Sequence, residues 1–350
     1  MENNVGVPPD PPQGIAPVRG PRGLRWAIFL AIVLVVVATS TWIPVPPFAI
    51  YAPGPVRSVE GLIRIDDTTT YSSEGRLLLT TVNVDLDITL REWIVALFDP
   101  DQAIVLREDV TGGGSTKELL QRQRAEMAAS KQHAEEVALA ALGIAEPTGK
   151  GAQIEGTVDG APASGRLKRD DVILEINDQE VDTTCDVGRA IDNIEVGEKV
   201  ELTIERGGKR HVVTLETERN PQDPSTSYIG VFMEEIRYRF DPGFDVQIET
   251  DEIAGPSAGL MFALALYDRL TPDDLTHGRD IAGTGTITCD GSVGPIGGIE
   301  QKVAAAEARG AEIFLAPAAN ATAAEGAGDE IEVVSISNFD DAVEYLEGLE

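Results

Sequence analysis

Every residue from Leu260 to Leu266 is apolar: Leu, Met, Phe, Ala, Leu, Ala, Leu. A helix with no polar face has to be enclosed by other elements, so this run forces the carboxy-terminal part of the chain into layers around one central helix. Before it, Phe244, Val246 and Ile248 alternate with polar residues and read as a half-buried strand ending at Thr250. Between strand and helix lies Gly255-Pro-Ser-Ala-Gly259. The spacing predicts Ser257 on the first turn of the enclosed helix. Unpaired amides there, those of Ser257 and Ala258, point into a region of low dielectric and can hold the oxyanion formed when a carbonyl is attacked. The plainer reading of such a serine is a helix cap.

A second segment, Thr284 to Lys302, begins as a strand, turns at Asp290-Gly291 and enters a helix after Gly297-Gly298. Ile299, Val303 and Ala306 share one face of that helix, with Lys302 at its margin. A lysine held against apolar surface loses solvation, its ammonium is disfavoured, and the free amine can take a proton from a hydroxyl at neutral pH. The plainer reading is a solvated helix lysine, which Arg309 on the same side supports.

Together these segments resemble the proteolytic domain of Lon-type serine peptidases over roughly Tyr228 to Glu350. The nucleophile motif stands intact at 255–259, and the second motif runs from Thr284 to Lys302. The resemblance implies that Ser257 is the nucleophile, Lys302 the general base and Thr284 the hydroxyl that helps orient the lysine. Ala254 departs from it, since many members carry an acidic residue there. The nucleotide-binding motif of ATP-driven members is missing; Gly112-Gly-Gly-Ser-Thr-Lys117 has the wrong glycine spacing. The implied activity is an ATP-independent endopeptidase acting on protein or peptide substrates, with no cofactor and no metal.

Two other readings stand beside it. Gly255 to Gly259 also satisfies the elbow of α/β-hydrolases, whose histidine would have to be His277. Alternatively the chain is a catalytically idle adaptor or scaffold.

Residues 140–217 resemble a bacterial PDZ domain. The pattern is a strand from Ala152 to Val158, the small-residue stretch Gly160 to Gly165, the strand entry Leu167 to Asn177, a short helix near Thr183 to Ile191 and a hairpin across Gly207-Gly208. Leu142, Gly143 and Ile144 resemble the family's loop whose amides capture a chain terminus. Asp170 and Asp178 stand where the family has glycine. Aspartate is one of the few other residues that visits the left-handed region, so both turns stay open to it.

Ahead of these modules, residues 1–23 read as a cytoplasmic tail. The uncharged run from Trp26 to Ile43, preceded by Arg19, Arg22 and Arg25 and stopped by Pro44, Pro46 and Pro47, reads as a transmembrane helix over 24–43. The arginines keep the amino end cytoplasmic and predict a single-pass cell-membrane protein with its catalytic part outside; a cleaved signal peptide is the alternative. Residues 44–139 read as strands and a helical spacer, capped by Ser115 or Thr116, that pack with the protease module. The whole resembles membrane-anchored PDZ-containing Lon-like proteases of bacteria. Its expected class is α+β: one amino-terminal transmembrane helix, a PDZ β-sandwich-like module at 140–217 and a Lon-type α/β proteolytic domain at 228–350.

Charge narrows the partners. With 28 Lys+Arg against 59 Asp+Glu the net charge is −31, which excludes nucleic acid. Related Lon-like domains form rings, so a homo-oligomer is a possible state. Cys185 and Cys289 are far apart and outside any CxxC spacing, which predicts no disulfide framework and no zinc ribbon.

Overall fold

The computed structural model describes residues 26–31, 39–221, 226–250 and 253–349. The expected tail, 1–23, lies outside them. The expected transmembrane helix is corrected: among the described residues no helix is long and apolar enough to cross a membrane. Residues 26–31 and 39–40 are helical, and 32–38 lie outside the described set. The chain turns where the span was to end. The Trp42 amide donates to the Thr39 carbonyl, the Ile43 carbonyl accepts from Leu90, and the Val45 amide donates to Ile88.

The first module runs through β1 (Phe48–Pro53), β2 (Arg57–Ser58), β3 (Ile63–Asp66), β4 (Arg76–Leu79), β5 (Val82–Asp85), α1 (Leu90–Ala96), β6 (Ala103–Leu106) and α2 (Arg107–Thr111). The 26-residue α3 (Thr116–Ala141) follows. Capping boxes open both α1 and α3, Thr89 with Glu92 and Ser115 with Glu118. Strands β5, β1 and β6 form a small antiparallel sheet of their own.

The next module contains β7 (Ala152–Thr157), β8 (Val172–Ile176), β9 (Gln179–Glu180), α4 (Thr184–Asp192), β10 (Lys199–Arg206), β11 (Lys209–Glu216), β12 (Glu218–Arg219), β13 (Ser227–Tyr228) and β14 (Val231–Glu235). Its sheet order is β11-β10-β8-β7-β14. Val200, Leu202 and Ile204 alternate inward along β10 and meet Ile154, Ile173, Val187 and Ile191 in one core. Asp170 and Asp178 adopt φ of 69° and 66°, so aspartate holds the left-handed turns where glycine was expected.

The last module contains β15 (Asp245–Ile248), α5 (Gly259–Leu270), β16 (Asp280–Gly283), β17 (Thr286–Ile287), β18 (Val293–Gly294), α6 (Ile299–Arg309), β19 (Ile313–Pro317), α7 (Ala321–Glu325), β20 (Glu332–Ile336) and α8 (Phe339–Glu347). Its main sheet, β2-β4-β16-β19-β20, draws two strands from the first module. Strands β4, β16, β19 and β20 are parallel, and β2 closes one edge antiparallel. A parallel sheet has to be covered on both faces. On one face Leu77, Leu79, Ile281, Ile313 and Leu315 pack against α5, with α3 and α8 alongside. On the other, Leu78, Ala282, Phe314 and Ala316 pack against Ile299, Val303 and Ala306 of α6 and Ala324 of α7. The class is therefore mixed α+β, with the second module inserted into a three-layer α/β module.

A second correction concerns the cysteines. Cys185, on the first turn of α4, is disulfide-bonded to Cys289, in the turn after β17, with Cα atoms 6.0 Å apart and a sequence separation of 104. Each comes from a different module, so only the tertiary fold brings the pair together.

Candidate active site

The nucleophile loop is positioned from three sides. Gly255 turns it at φ 92°. Helix α5 starts at Gly259 with Ala258 as its N-cap and no side-chain cap bond. Ser257 therefore stands just outside the first turn rather than on it, and its hydroxyl does not cap the helix. From the sheet, the Gly285 amide (2.8 Å) and the Thr284 hydroxyl (2.9 Å) both donate to the Ser257 carbonyl. From α3, Ser130 Oγ donates to the Pro256 carbonyl at 2.9 Å and Lys131 Nζ to the Ile248 carbonyl at 2.7 Å. The approach is close enough that Gly259 has to lack a side chain. A Cβ there would lie 2.6 Å from Ser130 Oγ and 3.0 Å from the Ile287 backbone nitrogen.

Lys302 reaches this loop from the second turn of α6. Its Nζ lies 2.8 Å from Ser257 Oγ and 2.8 Å from Thr284 Oγ1. Lys302 is 3% exposed and Thr284 1%. Burial is what moves the amine: it pushes the Lys302 ammonium down to about 7, since removal from water penalises the charged form. The three hydroxyl and amine groups form a directed chain. Thr284 Oγ1 donates to the Ser257 carbonyl and accepts from Lys302 Nζ, which also donates to Ser257 Oγ, so the hydroxyl fixes the amine beside the serine oxygen.

Ser257 and Lys302 open on a cleft of about 470 Å³, walled by Leu79 to Val84, Ile253 to Ala258, and Pro295 to Gly297. The amides of Ser257 and Ala258 donate to no backbone carbonyl among the described residues. They are thus open to a substrate oxygen beside the nucleophile. Among the described residues no His, Cys, Asp and Glu group has metal-holding geometry.

The other sequence candidates lie elsewhere. Leu142, Gly143 and Ile144 close the end of α3, where their amides donate to Ala138, Ala140 and Leu139. These N–H groups are already used, as at an ordinary helix C-cap. The outer edge of β7, the place for an added strand, is held by β14, which pairs along it from Val231 to Glu235. His277 stands on the exposed turn before β16, at the opposite end of that strand from Thr284, and does not line the cleft.

Residues 247–346 match the family description Lon protease (S16) C-terminal proteolytic domain, and residues 140–217 match PDZ domain. The chain carries a Lon-type proteolytic domain and a PDZ domain. The Lon protease of Roseiflexus castenholzii is 39% identical over 93 residues, 25% of this chain and 11% of that protein. The Lon protease of Mycoplasma mobile is 32% identical over 123 residues, 32% of this chain and 14% of that protein. The chain thus covers a small part of these relatives' length. Among solved structures, the PDZ domain of an SdrC-like protein of Listeria innocua is 22% identical, covering 24% of this chain and 93% of that one at a TM-score of 0.23. The carboxy-terminal module is thus similar in sequence to the proteolytic domain of Lon proteases.

Sequence reasoning missed two contributors to the Lon-type site. Helix α3 read as a spacer, yet Ser130, Lys131 and His133 reach the loop, β15 and β17, His133 Nδ1 lying 3.2 Å from the Ile287 carbonyl. The signal was polar residues among the apolar positions Met127, Ala134 and Val137, which bury on α5. The other is Arg57, a cleft residue on β2 that no motif marks.

Proposed function

We propose that this protein is a serine endopeptidase that hydrolyses peptide bonds with a Ser257–Lys302 dyad and without nucleotide. The observation that carries the reading is the buried Lys302 amine, 2.8 Å from Ser257 Oγ, with its ammonium destabilised to about 7. The free amine takes the Ser257 proton as Oγ attacks the scissile carbonyl, and the Ser257 and Ala258 amides hold the oxyanion. The Lys302 ammonium then gives that proton to the leaving amine, which departs and leaves an ester on Ser257. Water, deprotonated by the same amine, attacks the ester, and the Lys302 ammonium returns the proton to Ser257 Oγ as the acid is released. Thr284 positions the amine. Every group used belongs to this chain, so the chemistry needs neither ATP nor metal.

The protein works on polypeptides in an oxidising compartment outside the cytosol, a placement supported by the bridge between Cys185 and Cys289. The PDZ-like module gates the site rather than displaying an open groove. Its β7 edge is held by β14, and its α4 is tethered to the turn between β17 and β18. The test is degradation of an unfolded protein without nucleotide by wild type, Ser257→Ala and Lys302→Ala. Each substitution lowers turnover by at least about 10³-fold while leaving the unfolding transition intact. Undiminished cleavage by Ser257→Ala would reject the reading.

A further inference from the structure

The cleft contains a cation that the peptide-bond chemistry does not use. Arg57 lies half-buried on β2, the antiparallel edge strand, and lines the same cleft as Ser257 and Lys302. Its guanidinium makes no ion pair or side-chain hydrogen bond with any described residue, and unlike other arginines without a carboxylate partner it lines the cleft. Acidic partners are not scarce in a chain with 59 Asp+Glu against 28 Lys+Arg. Yet among the described residues no Asp or Glu lines this cleft, and Arg57 and Lys302 are its charged side chains. Lys302 acts as a neutral base above about 7, which leaves Arg57 as the standing positive charge.

A guanidinium in a cavity with no partner among the described residues presents five donors in a fixed fork, and the group that matches that fork is a carboxylate accepting two parallel bonds. We infer that Arg57 is a specificity-determining residue that selects polypeptide substrates carrying a carboxylate within reach of the scissile bond. The carboxylate comes from an acidic side chain or from the substrate's own carboxy terminus. The inference rests on the peptidase reading and adds to it a substrate class. A charge-assisted bond of this kind corresponds to roughly tenfold or more in kcat/KM.

The test uses short fluorogenic peptides of one neutral, amidated sequence. In one arm Glu replaces each position around the cleaved bond in turn; in the other the neutral sequence ends in a free carboxylate. The readout is the ratio of kcat/KM for acidic over neutral peptide in wild type, Arg57→Gln, Arg57→Lys and Arg57→Glu. The expected ratio is about ten or more in wild type, near one in Arg57→Gln, partly restored in Arg57→Lys, and below one in Arg57→Glu, which instead favours a Lys-bearing peptide. The arm that shows the preference assigns the source of the carboxylate. Equal rates for acidic and neutral peptides in wild type, or a ratio unchanged in Arg57→Gln, would overturn the inference while leaving the dyad standing. If wild type cleaves none of them, the peptidase reading fails by itself, and fluorescence anisotropy on the same full-length chains decides the inference. Tighter binding of the acidic peptides that Arg57→Gln abolishes supports it; equal binding overturns it.

Discussion

At the scale of single residues, the proposed dyad sets stability against activity at Lys302. Its folded pKa of about 7 lies below the ordinary 10.5. Between those values the unfolded chain holds a proton that the native chain has shed, so stability rises with pH across that interval. The cost of burying the ammonium is felt in full below 7. Replacing the amine with an apolar side chain of similar length removes that cost. Lys302→Met should therefore be more stable than wild type at pH 6, by on the order of a few kcal/mol, and unfold at a higher temperature, with the gap closing towards pH 10. A gap that widened with pH, in paired thermal melts, would contradict the burial account. The same titration predicts that peptidase activity climbs as pH passes about 7, where the amine becomes free to accept the serine proton. Much of this residue-level picture was legible in the sequence: two motifs named Ser257, Thr284 and Lys302 before any contact was known. The burial of Lys302 was not. Helical periodicity places it at the margin of the Ile299, Val303 and Ala306 stripe, and its enclosure depends on Thr284 at the end of β16 and on the loop before α5. Those contacts span 45 and 18 residues, beyond any local pattern.

At the scale of elements, the decisive joints lie between pieces that read as unrelated. The enclosed helix α5 was plain from its composition, but its neighbour α3 gave only a propensity for helix and a cap at Ser115 or Thr116, of which the structure uses Ser115. Its use as a wall of the site follows from the side on which Met127, Ala134, Val137 and Ala138 bury, something only packing reveals. The bridge between Cys185 and Cys289 is the other joint, and spacing hid it because a PDZ-type helix and a turn of the proteolytic sheet have no local relation. Thr286, three residues before Cys289, lines the cleft, so the bridge ties α4 to the wall of that cleft. Cross-linking residues 104 apart restricts the unfolded chain strongly. Cys185→Ser with Cys289→Ser is expected to lower stability by about 2–5 kcal/mol in chemical denaturation. Treating wild type with a dithiol should reproduce the loss, while the double variant no longer responds to it. Indistinguishable denaturation midpoints for oxidised and reduced wild type would show that the bridge does not hold the modules together.

At the scale of the whole molecule, the proteolytic module is discontinuous in sequence. The PDZ-like module and α3 are inserted between β4 and β16, which lie side by side in parallel register from Arg76 opposite Asp280 to Leu79 opposite Gly283. Strand β15 likewise finds its partner in β3, from Asp245 opposite Asp66 to Ile248 opposite Ile63. A boundary at 228 therefore contains the catalytic motifs but not the domain. A chain of 228–350 alone would leave β16 with one open edge. It would also uncover the faces of Ile281 and Ala282 that Leu77, Leu78 and Leu79 share in covering, and remove α3 from α5. An open apolar sheet edge of this kind is a template for aggregation rather than a stable end. The excised 228–350 fragment should accordingly show no cooperative thermal transition and no peptidase activity, whereas 44–350 should have both. Joining residues 44–111 to 228–350 without α3 and the PDZ-like module should recover the sheet but leave the Ser257 loop without Ser130 and Lys131, giving a cooperative fold with impaired turnover. Cooperative unfolding together with full activity from 228–350 by itself would mean that the amino-terminal strands are dispensable, and the assembly of the site from both ends of the chain would have to be abandoned.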